Sequence, residues 1–329
     1  MKKLLATTAL AAVALSGVSF AEIKVSGSIE QTITSTSFDK AADEVSGGTT
    51  IGSEVNLGIS GSKNLDNGMV VSSAFRLENN GAAKAPNVDQ KSLKITNGNF
   101  AVELGIDTGD NITGNVVANV GQQAEDMSFG ADKWGTDSLS ASDTHDKEHI
   151  GLSYNTSGGK FTVNYSPDSS ASQSTNSHVE TGQSSTEFVF NGSLGVPGLT
   201  VKVGRQTTES VISTAGDIKE DVIGAMYQYG KFAVAYTDRS QDDDTVATEI
   251  DKVKSYSVSY NVADNVSVAY ERMETSTIGQ ANNEEIDHFG VSYNMGGLGI
   301  EAYFAQISNI DGDSTRDADT MQLRTVFAY

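Results

Sequence analysis

The sequence predicts an all-β fold, a transmembrane antiparallel up-and-down β-barrel of sixteen strands. Short runs of alternating apolar and polar residues recur along the chain, and each ends at Gly, Asn or Asp. The connections between these runs alternate between short and long, while helical periodicity is nearly absent. The chain also begins with a segment typical of exported proteins. Together these observations predict a sheet that closes on itself and crosses a membrane.

The N-terminal segment has the parts of a secretory signal peptide. Lys2 and Lys3 supply positive charge, LLATTALAAVAL is an apolar run too short to span a bilayer as a helix, and small residues follow. We therefore expect residues 1–21 to be a cleaved signal peptide and residues 22–329 to form one barrel domain. The alternative is that the segment forms a buried N-terminal helix.

The composition excludes several classes of protein. The formal net charge of −21 argues against nucleic acid as a partner, because phosphates repel an acidic surface. The chain has no cysteine, so an exported protein of this length must fold without disulfides. No apolar run after residue 21 approaches the roughly 20 residues of a transmembrane helix. These numbers leave a soluble exported β-protein and an outer-membrane barrel open.

Sixteen runs have the period of two residues that is typical of a strand with one apolar face. The first, IKVSGSIEQTI, places Ile23, Val25 and Ile29 on one face, and polar side chains on the other. The apolar faces of the later runs are formed, in order, by Val55, Leu57 and Ile59; Val71, Phe75 and Leu77; Leu93 and Ile95; Phe100, Val102 and Leu104; Ile150, Leu152 and Tyr154; Phe161, Val163 and Tyr165; Phe188 and Phe190; Leu199, Val201 and Val203; Ala225, Tyr227 and Tyr229; Phe232, Val234 and Tyr236; Tyr256, Val258 and Tyr260; Val266, Val268 and Tyr270; Phe289, Val291 and Tyr293; Ile300, Ala302 and Phe304; and Met321, Leu323 and Phe327.

The connections favour a transmembrane barrel over a soluble sandwich. Seven short connections read as turns, at residues 63–68, 96–99, 156–159, 193–198, around 230, 261–265 and 294–299. Eight longer ones lie between them, at residues 35–49, 79–90, 107–148, 166–184, 206–219, 237–251, 273–285 and 308–318. Transmembrane barrels have short periplasmic turns and longer external loops, whereas a sandwich has no reason to separate them.

The end of the chain is explained if the sheet closes. Hydrocarbon cannot satisfy backbone hydrogen-bonding groups, so a sheet that crosses a membrane can have no free edge. The last run, MQLRTVFAY, must then pair with the first, which accounts for an apolar strand that ends at Tyr329. The middles of the apolar faces carry no charged residue, and aromatic residues cluster near strand ends, as lipid-facing girdles require.

The chain resembles the general diffusion porins of Gram-negative outer membranes, of the trimeric sixteen-stranded type. The resemblance is carried by the signal peptide, KVSGSIEQT, KNLDNGMVVSSAFRLEN, NFAVELGIDTG, SYNTSGGKFTVNYSP and the terminal VFAY. It implies an outer-membrane homotrimer whose water-filled channels pass small hydrophilic solutes and ions by passive diffusion. It also implies that Phe327 and Tyr329 form the assembly signal, although the family more often ends in Phe, and that the second loop contacts a neighbouring subunit.

The resemblance places the third loop inside the barrel, at the narrowest point of the pore. This loop is the longest connection, and loops of such length are usually functional or disordered. Its local charge is −7. The predicted acidic side of the constriction comprises Asp107, Asp110, Glu125, Asp126, Asp132 and Asp137. The alternative is a solvated surface loop that shares the general acidity of the chain.

Basic residues alternate with the apolar ones on strands that meet when the barrel closes. The predicted basic wall comprises Arg76, Lys94 and Arg324, with Lys24 as its weakest member near the periplasmic end. We expect this wall to face the acidic loop and to create a transverse field. The alternative is that these cations only offset the lumenal acids Glu30, Glu54, Glu78 and Glu103. Because the overall charge and the loop charge are negative, we expect a preference for cations.

The sequence carries no pattern that predicts an enzyme, a cofactor or a tight metal site. HDKEH lacks a helical context, so the spacing of its histidines does not indicate zinc. DGDSTRDAD, residues 311–319, has the acidic spacing of a calcium loop but not its glycine or closing Glu, so weak external calcium binding is an alternative. A substrate-specific channel is the main competing function, with a surface adhesin or structural barrel behind it. Most aromatic residues face outward, Tyr303 being an exception, which disfavours an aromatic ladder in the lumen.

Overall fold

The computed structural model describes most of the chain after the predicted signal peptide. The described residues are 22–38, 48–80, 87–106, 148–167, 184–209, 217–242 and 250–329, together with Ile112, Val116 and Ala118. Residues 1–21 lie outside them, so the signal peptide stays a prediction. Among the described residues, no helix is long and apolar enough to cross a membrane.

Sixteen antiparallel strands form the structure, as the alternating runs predict. The strands are β1 (Glu22–Phe38), β2 (Gly48–Asn64), β3 (Val70–Asn80), β4 (Asn87–Asn97), β5 (Phe100–Ile106), β6 (His149–Asn155), β7 (Lys160–Ser166), β8 (Ser185–Gly192), β9 (Leu199–Thr208), β10 (Ile218–Tyr229), β11 (Phe232–Asp242), β12 (Ile250–Ala263), β13 (Val266–Thr277), β14 (Glu284–Met295), β15 (Leu298–Ser308) and β16 (Ala318–Ala328). Each strand pairs with its neighbours in the sequence, and β16 pairs with β1, so the sheet is a closed up-and-down barrel.

The seam between the first and last strands extends to the final residue. The β1–β16 register runs from Ser28 opposite Ala328 to Phe38 opposite Ala318. Beyond it, the Tyr329 N–H donates to the Gly27 carbonyl, and the Gly27 N–H donates to the Tyr329 carbonyl. A Cβ atom at Gly27 would lie 2.6 Å from the Tyr329 ring, so only glycine allows this close approach. The prediction that the terminal strand closes the barrel is confirmed.

The two ends of the barrel differ as the alternation of connections predicts. Short turns join the strands at one end, the turn end, and the longer connections lie at the other, the loop end. Several strands run further toward the loop end than the apolar pattern indicates: β11 continues to Asp242 and β13 to Thr277, inside the predicted loops 237–251 and 273–285. Beyond Tyr236 on β11 and Met273 on β13 both faces are polar, so the strands continue without the contrast between faces by which a strand is recognised.

The two faces of the sheet have opposite character. Apolar side chains such as Ile29, Leu104 and Phe289 point outward and are exposed. The residues between them point into the lumen, are mostly polar, and become buried in the second half of the barrel. Aromatic pairs lie on the outward face toward both ends, for example Phe100 with Tyr154 and Tyr236 with Tyr256. The apolar surface therefore lies outside and the polar surface inside, which is the arrangement of a membrane barrel.

Candidate pore

Three described residues of the third loop lie against the inner wall of the barrel. The Ile112 N–H donates to Glu187 Oε2 (3.1 Å) on β8. The Val116 N–H donates to Thr237 Oγ1 (2.6 Å) on β11, whose hydroxyl donates to the Val116 carbonyl (3.1 Å). These bonds lie on the lumenal face, so this part of the loop enters the barrel, as the resemblance implies.

The wall has gaps that receive the side chains of the loop. The Ile112 side chain lies where a Cβ atom at Gly204 would be, and Val116 fills the corresponding space at Gly224. The Ala118 N–H donates to Ser257 Oγ (2.7 Å) on β12. Ile112 and Ala118 are fully buried. Ile112, Val116 and Ala118 therefore contact the wall between β8 and β12. We call these strands, with the three loop residues that lie on them, the loop wall.

Glu187 is the charged anchor of the loop wall. Its side chain is fully buried, and its second oxygen, Oε1, accepts a hydrogen bond from Asn164 Nδ2 (2.9 Å) on β7. A buried carboxylate needs such donors, because an unpaired charge is costly to remove from water. A carboxylate held in this way fixes the Ile112 backbone on the wall.

The predicted acidic side of the constriction lies outside the described residues. This holds for all six residues, Asp107, Asp110, Glu125, Asp126, Asp132 and Asp137. The described part of the loop is apolar where it meets the wall. The position of the acidic residues stays a prediction.

The predicted basic residues lie in the lumen, and Arg76, Lys94 and Arg324 each have an acidic partner. Arg324 is the most buried of them: its guanidinium donates to Glu30 and, through Nη1 (3.3 Å), to Glu301. Glu301 Oε2 also accepts from the Tyr303 hydroxyl (2.6 Å). A buried guanidinium between two carboxylates is held in a fixed position.

Two further cations pair more loosely with acids beside them. Arg76 Nη2 lies 3.6 Å from Glu78 Oε2, and Lys94 Nζ lies 3.3 Å from Glu103 Oε2. The side chains of Arg76 and Lys94 are about one-third exposed, at 35% and 32%, so water screens both pairs. These cations are available to the solution in the lumen in a way that Arg324 is not.

Arg76 and Arg324 share one depression in the wall, which we call the ionic recess. It has a volume of about 570 Å³ and is formed by β16, β1, β2 and β3. Its lining includes Glu30, Glu54 and Glu78 as well as the two arginines. The recess therefore holds acidic and basic side chains together.

The other two predicted cations lie outside the ionic recess. Lys94 is on β4, opposite Glu103 in the β4–β5 register. Lys24 lies opposite Ser60, near the turn end. The structure thus brings Arg76 and Arg324 together and separates Lys94 and Lys24 from them.

The ionic recess and the loop wall lie on opposite sides of the barrel. In a closed order of sixteen strands, β1 and β2 at the centre of the recess are seven and eight strands from β10 at the centre of the loop wall. A solute that passes the third-loop segment therefore moves between that segment and the ionic recess.

Sequence reasoning missed several lumenal charges in the second half of the barrel. Arg239 Nη2 donates to Glu220 Oε1 (2.7 Å), and both side chains are 3% exposed. Glu271 accepts from the Ser255 hydroxyl. Glu301 was also absent from the predicted wall. Glu271 and Glu301 follow the outward Tyr270 and Ile300, so strand parity would have found them. Arg239 and Glu220 are flanked by polar residues, so the apolar pattern does not extend to them.

The acidic segment at residues 311–319 is occupied by local hydrogen bonds. Asp313 Oδ1 accepts from the Thr315 N–H (2.9 Å) and hydroxyl (2.7 Å), and Asp317 Oδ1 accepts from the Asn309 N–H (3.0 Å). Within the described part of the chain, no three metal-ligating side chains lie together. Weak external calcium binding stays a prediction.

Solved structures share this fold over nearly its whole extent. An anion-selective porin from Comamonas acidovorans matches with a TM-score of 0.68 and 14% identity, over 94% of this chain and 100% of that one. OmpT, an outer membrane protein of Vibrio cholerae solved in a trimer form, matches with a TM-score of 0.65 and 13% identity, over the same shares. A mutant of the Rh. blastica porin matches with a TM-score of 0.62 and 13% identity, over 94% and 100%.

The sequence itself identifies the family. No curated protein matches the chain. The family model described as Gram-negative porin matches residues 6–327, which is nearly the whole sequence. With the closed sixteen-stranded barrel and the polar lumen, this match settles the assignment. The chain belongs to the Gram-negative porin family and is an outer-membrane channel protein.

Proposed function

We propose that the protein is a diffusion porin, a water-filled channel for the passive passage of small hydrophilic solutes and ions. The observation that carries the proposal is the pair of opposed lumenal surfaces, the loop wall and the ionic recess. Between them a solute meets fixed charges and backbone dipoles, which replace part of its hydration. The outward apolar face would contact the lipid of the outer membrane.

The main test is the swelling of liposomes that contain the purified protein. We expect swelling rates that fall with solute size and stay proportional to concentration. A substrate-specific channel would saturate, and a plugged structural barrel would show no swelling. Among the described residues the lumenal aromatic side chains are Phe38 and Tyr303, which supports diffusion over an aromatic binding ladder.

We also propose that the channel prefers cations. When faces are assigned by strand parity, nine lumenal acids stand against seven lumenal bases among the described residues. The acids are Glu30, Glu54, Glu78, Glu103, Glu187, Glu220, Glu271, Glu284 and Glu301. The bases are Lys24, Arg76, Lys94, Lys160, Lys202, Arg239 and Arg324. The third loop adds further negative charge in its sequence. The anion-selective relative shows that the fold itself does not fix the sign of selectivity. A reversal potential that favours chloride in a salt gradient would contradict the proposal.

The opposed surfaces support a transverse field across the constriction. The field would run from Arg76, Lys94 and Arg324 toward the acidic residues of the third loop. Small polar solutes can align in such a field, whereas apolar ones must displace oriented water. Arg76→Ala and Arg324→Ala should each change conductance and selectivity, and unchanged values in both would exclude the field.

We propose a homotrimer as the assembled form. The support is the trimer form of the Vibrio cholerae relative, which shares the fold over 94% of this chain. The second loop, residues 79–90, is the segment that we expect to contact a neighbouring subunit. Planar-bilayer recordings test the channel and the trimer at once, because a trimer of channels closes in three equal steps.

A further inference from the structure

An apolar row crosses the lumenal side of the barrel near its loop end. Five residues occupy successive pairing positions on the neighbouring strands β13, β14, β15, β16 and β1: Met273, Ile286, Ile307, Ala318 and Phe38. The first four are at most 3% exposed. The lumen of a porin is normally polar, so an apolar row there must be covered by something other than water.

The covering residue belongs to the last external loop. Residues 309–317, here called L8, connect β15 to β16 and contain a short 3-10 turn, Ile310–Gly312. The Ile310 side chain is 2% exposed and packs in one cluster with the apolar row and Val253. Because those side chains point into the barrel, L8 folds inward over the lumen.

L8 is built to hold this position. The Ile310 N–H donates to the Arg316 carbonyl (2.9 Å), and the Asn309 N–H donates to Asp317 Oδ1 (3.0 Å). Asn309 itself adopts a left-handed conformation, with φ 58°, that asparagine accepts more readily than most residues. Hydrogen bonds therefore join the beginning of L8 to its end, and the Ile310 side chain points into the wall.

L8 is also joined to the preceding external loop, residues 278–283, here called L7. Asn282 Nδ2 donates to the Gly312 carbonyl (3.0 Å), and Asn309 Nδ2 donates to the Asn283 carbonyl (3.0 Å). The Gln280 side chain packs against Gly312, where a Cβ atom would lie 2.5 Å from its Oε1. L7 and L8 form a single unit that is seated through Ile310.

The unit lies closer to the loop end than the ionic recess, on strands that overlap with those of the recess at β16 and β1. Moving along β15 from the row toward the turn end, the lumenal residues are Ile307, Ala305, Tyr303 and Glu301. Glu301 binds Arg324, which lines the recess. A solute that follows this wall from outside therefore passes the L7–L8 unit before it reaches the charged surface.

We propose that the L7–L8 unit is a second size-selecting element, placed in series with the third loop, and that Ile310 is the positioning residue that seats it. The proposal rests on the proposed diffusion function. Its physical basis is that a loop sealed onto an apolar row cannot swing outward without exposing that row to water. The outer mouth then keeps a fixed width on this side.

The test is Ile310→Asn, with Ile278→Asn as the matched control. Ile278 is in L7 of the same unit but is 38% exposed, so the same substitution there leaves the contact between Ile310 and the apolar row in place. An amide placed in the apolar row without a partner should lower the ratio of seated to unseated loop by roughly 10-fold to 100-fold. We expect the swelling rate for a trisaccharide, relative to that for a monosaccharide, to rise several-fold in Ile310→Asn and to stay at the wild-type value in Ile278→Asn.

A second variant keeps the proposal testable if Ile310→Asn fails to fold. The double substitution Asn282→Ala with Asn309→Gly removes both bonds between the loops and leaves the barrel wall unchanged; it should raise the same ratio by a smaller factor. Wild-type size selection in a folded Ile310→Asn protein, or in the double variant if that protein does not fold, would overturn the proposal. Absence of swelling in the wild-type protein would instead contradict the proposed diffusion function.

Discussion

Replacing Thr237 with valine tests how the third loop is held inside the barrel. Valine has nearly the shape of threonine, so the substitution removes the hydroxyl and leaves the packing in place. The hydroxyl makes two hydrogen bonds to Val116, one to its N–H (2.6 Å) and one to its carbonyl (3.1 Å). Both Val116 groups are half-buried where the loop meets the wall.

The size of the effect follows from these two bonds. Each of these half-buried hydrogen bonds contributes about 0.5–1.5 kcal/mol, so the loss of both weakens the attachment by about 1–3 kcal/mol. The other anchors, Glu187 and Ser257, remain. We therefore expect a loop that is still attached but leaves the wall more often, by a factor of roughly 5 to 150.

Thr162→Val is the matched control for this experiment. Thr162 is also a lumenal threonine, on β7, and is 5% exposed. Its hydroxyl has no hydrogen-bond partner within the described structure. Valine at this position should be neutral or slightly stabilising, because it removes an unpaired polar group.

Single-channel recording gives the readout. Transient release of the loop changes the width of the constriction, so Thr237→Val should show greater noise in the open-channel current than the wild-type protein and Thr162→Val. Identical current noise and conductance in the two variants would refute the role assigned to Thr237. Heat denaturation of the purified proteins shows whether both barrels remain intact.

Two further predictions concern the seam and the lumenal charge. Gly27→Val should lower the temperature of barrel unfolding, because its side chain would collide with the Tyr329 ring, whereas Gly48→Val should not, since nothing lies within 4 Å of its Cβ position. Glu301→Gln should shift the reversal potential in a salt gradient toward anions, because it removes a lumenal negative charge beside an arginine. Glu148→Gln, on the exposed rim where Glu148 pairs with Lys91, should leave the reversal potential unchanged, and equal shifts in both variants would contradict the argument.

The sequence predicts the barrel well because a membrane imposes a strong contrast between faces. Alternation of apolar and polar residues locates every strand, its outward face and its order, and the lengths of the connections separate the two ends. Closure follows from the chemistry of hydrocarbon, and the pairing of Tyr329 with Gly27 confirms it. The contrast disappears beyond the membrane, which is why the sequence predicts loops where β11 and β13 continue toward the loop end.

Contacts inside the lumen are harder to predict than the strands. Alternation places Arg324 in the lumen and indicates Glu30 as an acid that can offset it. The second partner of Arg324, Glu301, depends on the stagger between β15 and β16. The seating of Ile310 was missed for a related reason. Alternation shows that Ile286 and Ile307 point inward, but only the fold shows that they lie side by side and need a cover.

The seam has a consequence for how the protein is made. The residues that pair across it are separated by nearly the whole chain, so bringing them together carries a large entropic cost and is slow. Until they meet, the sheet has two unpaired borders that can capture strands from other chains. An extension fused to the final tyrosine would hinder the step that removes both borders at once, and we expect such fusions to increase misassembly during biogenesis more than equal insertions in an external loop.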